Sequence, residues 1–124
     1  MKIPDGHQAI MPYLIVENAE KLIDFAQQVF NANLNSKHLR DNGKTIMHAE
    51  LQISGSTVML AEATEQWKEH TATLFIYVDN ADETFNKAIE AGAEVILELR
   101  NQEYGRSGGV ADPCGNIWWI TSIQ

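Results

Sequence analysis

Val16-Glu17-Asn18-Ala19-Glu20 is answered 62 residues later (78 − 16 = 62) by Val78-Asp79-Asn80-Ala81-Asp82. Each copy closes an apolar, strand-like run, Ile10 to Val16 in the first case and Leu74 to Val78 in the second. Each then offers an Asn side chain whose oxygen can take the free N–H groups of a helical first turn. Behind the first cap, Ala19, Leu22, Ile23, Ala26, Val29 and Phe30 recur at three and four residues, which predicts a helix with one buried stripe. Behind the second, Ala81, Phe85, Ala88 and Ile89 do the same, with Glu83 as a capping-box-like partner of Asn80. Asn31 and Asn33 are stop signals for the first helix, and Gly92 supplies the left-handed cap of the second.

The correspondence runs on through both halves. Phe30-Asn31-Ala32-Asn33-Leu34 resembles Ala91-Gly92-Ala93-Glu94-Val95 at an offset of 61, and Gly55 before Val58-Met59-Leu60 matches Gly115 before Trp118-Trp119-Ile120 at an offset of 60. Between these anchors, Asp41-Asn42-Gly43 reads as a turn and Thr45 to Ile53 alternates like a strand. Ser54-Gly55-Ser56 leads to a further strand, Thr57 to Ala61. In the second half Val95 to Leu99 is a strand, followed by a glycine-rich loop through Gly105, Gly108 and Gly109. Asp112-Pro113-Cys114-Gly115 suits a type I turn, and Ile117 to Ser122 is the last strand. Three matches in register predict an α+β chain of two tandem βαβββ modules, about 8–62 and about 72–124, joined by an acidic connector at about 63–71 within one domain.

Composition narrows the function classes. With 124 residues and 44% hydrophobic content the chain can bury a core without staples. Its net charge of −8 opposes a general nucleic-acid partner, because phosphate binding works through clustered Lys and Arg. No apolar run approaches the roughly 20 residues of a membrane-spanning helix, and the start does not read as a signal peptide. Cys114 is the single cysteine, which fits a reducing cytoplasm.

These residues resemble the vicinal-oxygen-chelate superfamily of glyoxalases, bleomycin-resistance proteins and dioxygenases, and within it the PhnB-like proteins. The matching stretches are Pro12 to Ala19, Met47 to Leu51, Val58 to Ala61, Tyr77 to Asp79, Ala91 to Ala93, and Gly105 to Val110 leading to Asp112-Pro113-Cys114-Gly115-Asn116. Cys114 departs from the pattern, in which an aromatic residue is common there. The resemblance implies paired modules curling into a cup with helices outside, commonly completed or flanked by a second chain as a homodimer. It also implies metal ligands, usually His, Glu or Gln, one on the first and one on the last strand of each module.

Those positions fall at Met11 and Thr73, and at Met59 and Trp119. A thioether, a neutral hydroxyl and an indole N–H are not ligands for a hard or borderline cation, so no metal or other cofactor is expected there. Met11, Met59 and Trp119 should instead line an apolar cup, with Tyr13 and Phe75 on the same first strands completing the lining. Trp67 in the connector, Tyr104 and Arg106 are candidates for its mouth, where an aromatic ring and a guanidinium could engage a planar or carboxylate-bearing molecule. His48 and Glu50 share one face of their strand, opposite Met47, Ala49, Leu51 and Ile53. They read as an acid/base pair, an off-pattern metal pair together with Glu62, or a hydrogen-bonded polar pair on a partly wet face. His7, His38 and His70 sit in polar, loop-like contexts and read as solvated. Gly105 to Gly109 lacks the ending of a phosphate loop. Cys114 has no local base that would make it a nucleophile.

The expectation is therefore a small-molecule-binding protein whose cup takes an aromatic or amphipathic ligand, cationic molecules included. The alternative is a metal-dependent lyase, isomerase or dioxygenase built on displaced ligands.

Overall fold

A computed structural model describes residues 1–123. The chain divides into two compact units, one from Met1 to Thr71 and the other from Ala72 onward. The first contains β1 (Tyr13–Val16), α1 (Ala19–Phe30), β2 (Asn33–Leu39), β3 (Ile46–Ile53) and β4 (Ser56–Glu62). The second contains β5 (Thr73–Tyr77), α2 (Ala81–Glu90), β6 (Glu94–Gln102), β7 (Gly105–Ala111) and β8 (Ile117–Ser122). Each unit holds one four-stranded mixed sheet, ordered β1-β4-β3-β2 and β5-β8-β7-β6. In both, the first strand lies parallel to the last and the other pairs are antiparallel.

The repeat seen in the sequence is a repeat of register. Tyr13 pairs with Met59 as Phe75 pairs with Trp119. The ladder of β2 and β3 shifts between Leu34 and Ser36, and that of β6 and β7 shifts between Val95 and Leu97, again 61 residues apart. Asn18 and Asn80 cap their helices as expected, accepting from the N–H groups of Lys21 and Glu83. The Glu83 carboxylate reaches Lys87 one turn on, so the capping box is not completed. Gly92, at φ +100°, ends α2 with its N–H on Ile89 and the N–H of Ala93 on Ala88. Those two bonds satisfy carbonyls that the last turn leaves open.

One face of each sheet carries its helix. In the first unit Leu14, Val16, Ala49, Leu51, Val58 and Leu60 meet the stripe of α1, to which Phe25 also belongs. In the second, Val110, Trp118 and Ile120 are buried along with Ala81, Phe85 and Ala88 of α2. Ile89, expected in that stripe, is 43% exposed.

Several expectations are corrected. The first strand begins at Tyr13, not Ile10. Pro12 has no N–H to give a ladder, although its carbonyl still accepts from Met59. Asn33 does not merely stop a helix but starts β2, which takes in His38. Asn31 alone makes the stop, at φ 55°. The glycine-rich stretch is not a loop. It is β7, and its glycines serve close packing: a Cβ on Gly109 would lie 2.5 Å from the Trp119 ring, and one on Gly108 would lie 2.9 Å from Phe85. Met47 does not share the helix-side face of Ala49. The pairs His38 with His48 and Leu39 with Ile46 put two residues of β3 opposite one of β2, and this bulge turns Met47 outward to 52% exposure.

Candidate functional site

The face of the first sheet opposite α1 carries two adjoining features, one apolar and one polar. Register places Tyr13, Met59 and Glu50 side by side across β1, β4 and β3. The Tyr13 hydroxyl shares a hydrogen bond with His48 Nδ1 at 3.2 Å, and their rings meet edge to face. His48 Nε2 lies 3.3 Å from one Glu50 oxygen, and His7 Nε2 lies 2.8 Å from the other. The hydrogen bond from His7, more than that from His48, holds the Glu50 carboxyl below its usual range despite partial burial.

The sequence context predicts a solvated His7, and here the structure differs. Gln8 clasps the backbone of Thr57 through both ends of its amide, and the Thr57 hydroxyl donates to the Gly6 carbonyl. The N-terminal segment is thereby laid beside β4 with His7 aimed at Glu50. Nothing local in the sequence signals this contact, which spans 43 positions.

Beside Tyr13 opens a pocket of about 570 Å³. Ile15, Ala61, Met47 and Tyr13 form its apolar walls, joined by Trp67, while Arg40, Glu62 and His70 complete the lining. Trp67 is 64% exposed and so does not pack into the core. It is set by a tight turn in which its N–H donates to the Thr64 hydroxyl and its carbonyl accepts from the Thr64 N–H. His70, itself exposed, exchanges two backbone hydrogen bonds with Ile15. That bridge carries the connector along the outer side of β1 and brings Trp67 and His70 to the pocket. Nothing in the sequence pattern marks Arg40 for this site. It follows β2 directly, and its guanidinium donates to the Glu62 carbonyl at 2.7 Å.

The remaining candidates are distributed otherwise. Met59 is half-buried beside Tyr13, and Met11, ahead of β1, accepts the Gln8 N–H on its sulfur. In the second unit Thr73 opens β5, exposed. Phe75 stacks edge-on with Tyr77 at 5.3 Å and stands 6.2 Å from Tyr104, all three well exposed. Trp119 lies over Gly109.

Arg106 is on the opposite, helix-bearing face, where Asp82 at the start of α2 grips it through two hydrogen bonds of 2.8 and 3.0 Å. Those bonds hold the Asp82 carboxyl below its usual range and raise the guanidinium. The structure therefore separates Arg106 from Trp119.

The Asp-Pro-Cys-Gly-Asn segment has a structural use. The buried Asp112 carboxylate accepts from the N–H groups of Cys114 and Asn116, the Asn116 amide, and Trp118 Nε1. The Asn116 side-chain oxygen in turn accepts from Ala72.

Met11, Thr73, Met59 and Trp119, where the family resemblance would place metal ligands, offer no carboxylate, imidazole or thiolate and do not suit a metal. The displaced set is not assembled either. His48 and Glu50 meet, but Glu62 lines the apolar pocket, and among the described residues no three His, Cys, Asp or Glu side chains are grouped to hold an ion. No helix among them is long and apolar enough to cross a membrane.

Comparison with known proteins agrees with this architecture. TioX from Micromonospora sp. ML1 superposes with a TM-score of 0.77 at 22% identity, covering 94% of this chain and 99% of its own. TnmS3, an antibiotic binding protein from Streptomyces sp. CB03234, superposes at 0.68 with 20% identity over 95% of this chain and all of its own. The Mycobacterium bovis protein Mb0911c is 37% identical over 122 residues, which span 89% of this chain and 80% of that protein. Residues 6–120 match the family model described as Glyoxalase/Bleomycin resistance protein/Dioxygenase superfamily. With two βαβββ units and this match over most of its length, the chain belongs to the glyoxalase/bleomycin resistance protein/dioxygenase superfamily.

Proposed function

We propose that this protein binds a small aromatic or amphipathic molecule in the apolar pocket of its first unit and acts by holding it. The observation that carries the reading is the pocket wall: Tyr13, Ile15, Met47 and Ala61 around about 570 Å³, flanked by a largely exposed Trp67. That volume suits a small ligand, and such sites are mostly apolar with a few placed polar groups. An exposed indole beside a concave apolar wall is placed to stack on a planar molecule. TnmS3, of the same fold, is an antibiotic binding protein, which supports holding as a use of this architecture. The single cysteine, Cys114, suits a protein of the reducing cytoplasm.

A thermal-shift panel of two- and three-ring aromatic compounds tests the proposal, because a ligand of the native state raises its stability. At least one member should raise the melting temperature. Trp67→Ala should weaken that compound about tenfold, on the order of 1.4 kcal/mol. A flat response to the whole panel, or an unchanged affinity in Trp67→Ala, would count against it.

A second reading rests on the polar chain. Tyr13 borders the pocket and is linked through His48 and Glu50 to His7, an arrangement able to accept or donate a proton at a bound molecule. Solvent deuterium entering a bound carbonyl compound beside the carbonyl, and no longer doing so in His48→Ala, would favour this isomerase-like role.

A further inference from the structure

We infer that the pocket selects an aromatic molecule bearing an acid group, and that Arg40 is the residue that reads that group. The inference rests on the binding function proposed above and names the ligand class.

A guanidinium carries five N–H donors. Among the described residues, that of Arg40 has one hydrogen-bond acceptor, the main-chain carbonyl of Glu62, and no carboxylate lies within ion-pair distance of it. Arg40 differs in this from Lys37, Lys87 and Arg106, which each meet a carboxylate, and it alone of the Lys and Arg residues lines this pocket. The group is also held in place. The Arg40 N–H donates to Thr45 and its carbonyl accepts from Gly43, so the turn fixes the root of the side chain while Glu62 fixes its tip. A pre-positioned fork loses little freedom on binding, and its planar donors match a carboxylate bidentately.

Around it the pocket offers aromatic and thioether surface from Tyr13, Trp67 and Met47. A flat body would cover that surface with its acid end on Arg40. Two observations bear on the sign of the selection. Glu62 also lines the pocket and its carboxylate would oppose an anion, as would the net charge of −8. Charges farther off than about 8 Å are largely screened at physiological ionic strength, whereas a carboxylate on Arg40 is in direct contact. Contact with the guanidinium therefore outweighs the distant charges, and an ammonium-bearing ligand sets Arg40 against Glu62.

One ring system with three head groups provides the test: 2-naphthoate, 2-naphthylmethanol and 2-naphthylmethylammonium, titrated calorimetrically into the wild-type protein, Arg40→Gln and Arg40→Lys. The naphthoate should bind the wild type about tenfold more tightly than the alcohol, as expected for a hydrogen bond to a charged group. That advantage should vanish in Arg40→Gln and persist in part in Arg40→Lys. Equal binding of the three heads would overturn the anion assignment and leave the binding pocket standing. Preference for the ammonium would overturn it in favour of Glu62. Binding of none would overturn the pocket reading and the assignment together. The wild-type comparison decides even if a variant folds poorly.

Discussion

Gly109 is a glycine because Trp119 occupies the volume its side chain would need. The ring atoms stand 2.5 to 2.9 Å from where a Cβ would be, so an added methyl group must displace the indole. Gly109→Ala should cost about 1–3 kcal/mol in denaturant melts, and Trp119→Ala in the same chain should return most of that loss. Additive losses would show that the two do not compete for space.

Glu50 gives a pH signature. Its folded value lies below the ordinary 4.5, chiefly through the His7 hydrogen bond. The stabilisation is therefore present above the unfolded value and is lost as pH falls through the lowered folded value. The gap in melting temperature between wild type and Glu50→Gln should be open near neutrality and close in acid. A gap that stays constant with pH would contradict the assignment.

At this scale the sequence is uneven. The chemistry of Met11, Thr73, Met59 and Trp119 can be read directly, because ligand competence is a property of the residue type. The partnership of His7 with Glu50 cannot, because it depends on how a segment without regular structure settles against β4.

The turn between β7 and β8 is held by one carboxylate. Asp112 meets four N–H groups, two of them on side chains and one of those the indole of Trp118. Asp112→Ala would leave several buried donors unsatisfied, which should cost about 2–4 kcal/mol in chemical denaturation and alter the fluorescence of Trp118. A loss below about 0.5 kcal/mol would mean that water replaces the carboxylate. The helices and four of the eight strands follow from the local pattern, within a residue or two at their ends, because caps and apolar spacing act over one or two turns, while β6 runs three residues past the expected Leu99. The first strand follows less closely, its start being misplaced by three residues at Pro12. β2 and β7 do not follow. Asn33-Leu34-Asn35-Ser36-Lys37 has a largely exposed face and a bulge that break its alternation, and the glycines of β7 hide a strand whose missing side chains make room for Phe85 and Trp119.

For the molecule as a whole, the second unit leaves Phe75, Tyr77 and Tyr104 exposed together on one face. Clustered aromatic surface of this kind calls for a cover. The protein is expected to be a homodimer, and sedimentation velocity at micromolar concentration should give about twice the 13.9 kDa of one chain. Phe75→Asp should shift the population toward monomer, while a wild-type monomer at tens of micromolar would refute the expectation. The repeat was legible because both copies keep the same caps and the same turn glycine, which record the module independently of what each copy now does.

The bridge between His70 and Ile15 has a consequence for solubility. β1 stands at the margin of its sheet, with β4 on one side, and an uncovered margin offers its N–H and C=O groups to any passing strand. By exchanging both backbone bonds with Ile15, the connector that brings Trp67 to the pocket also shields that margin from pairing with a foreign chain.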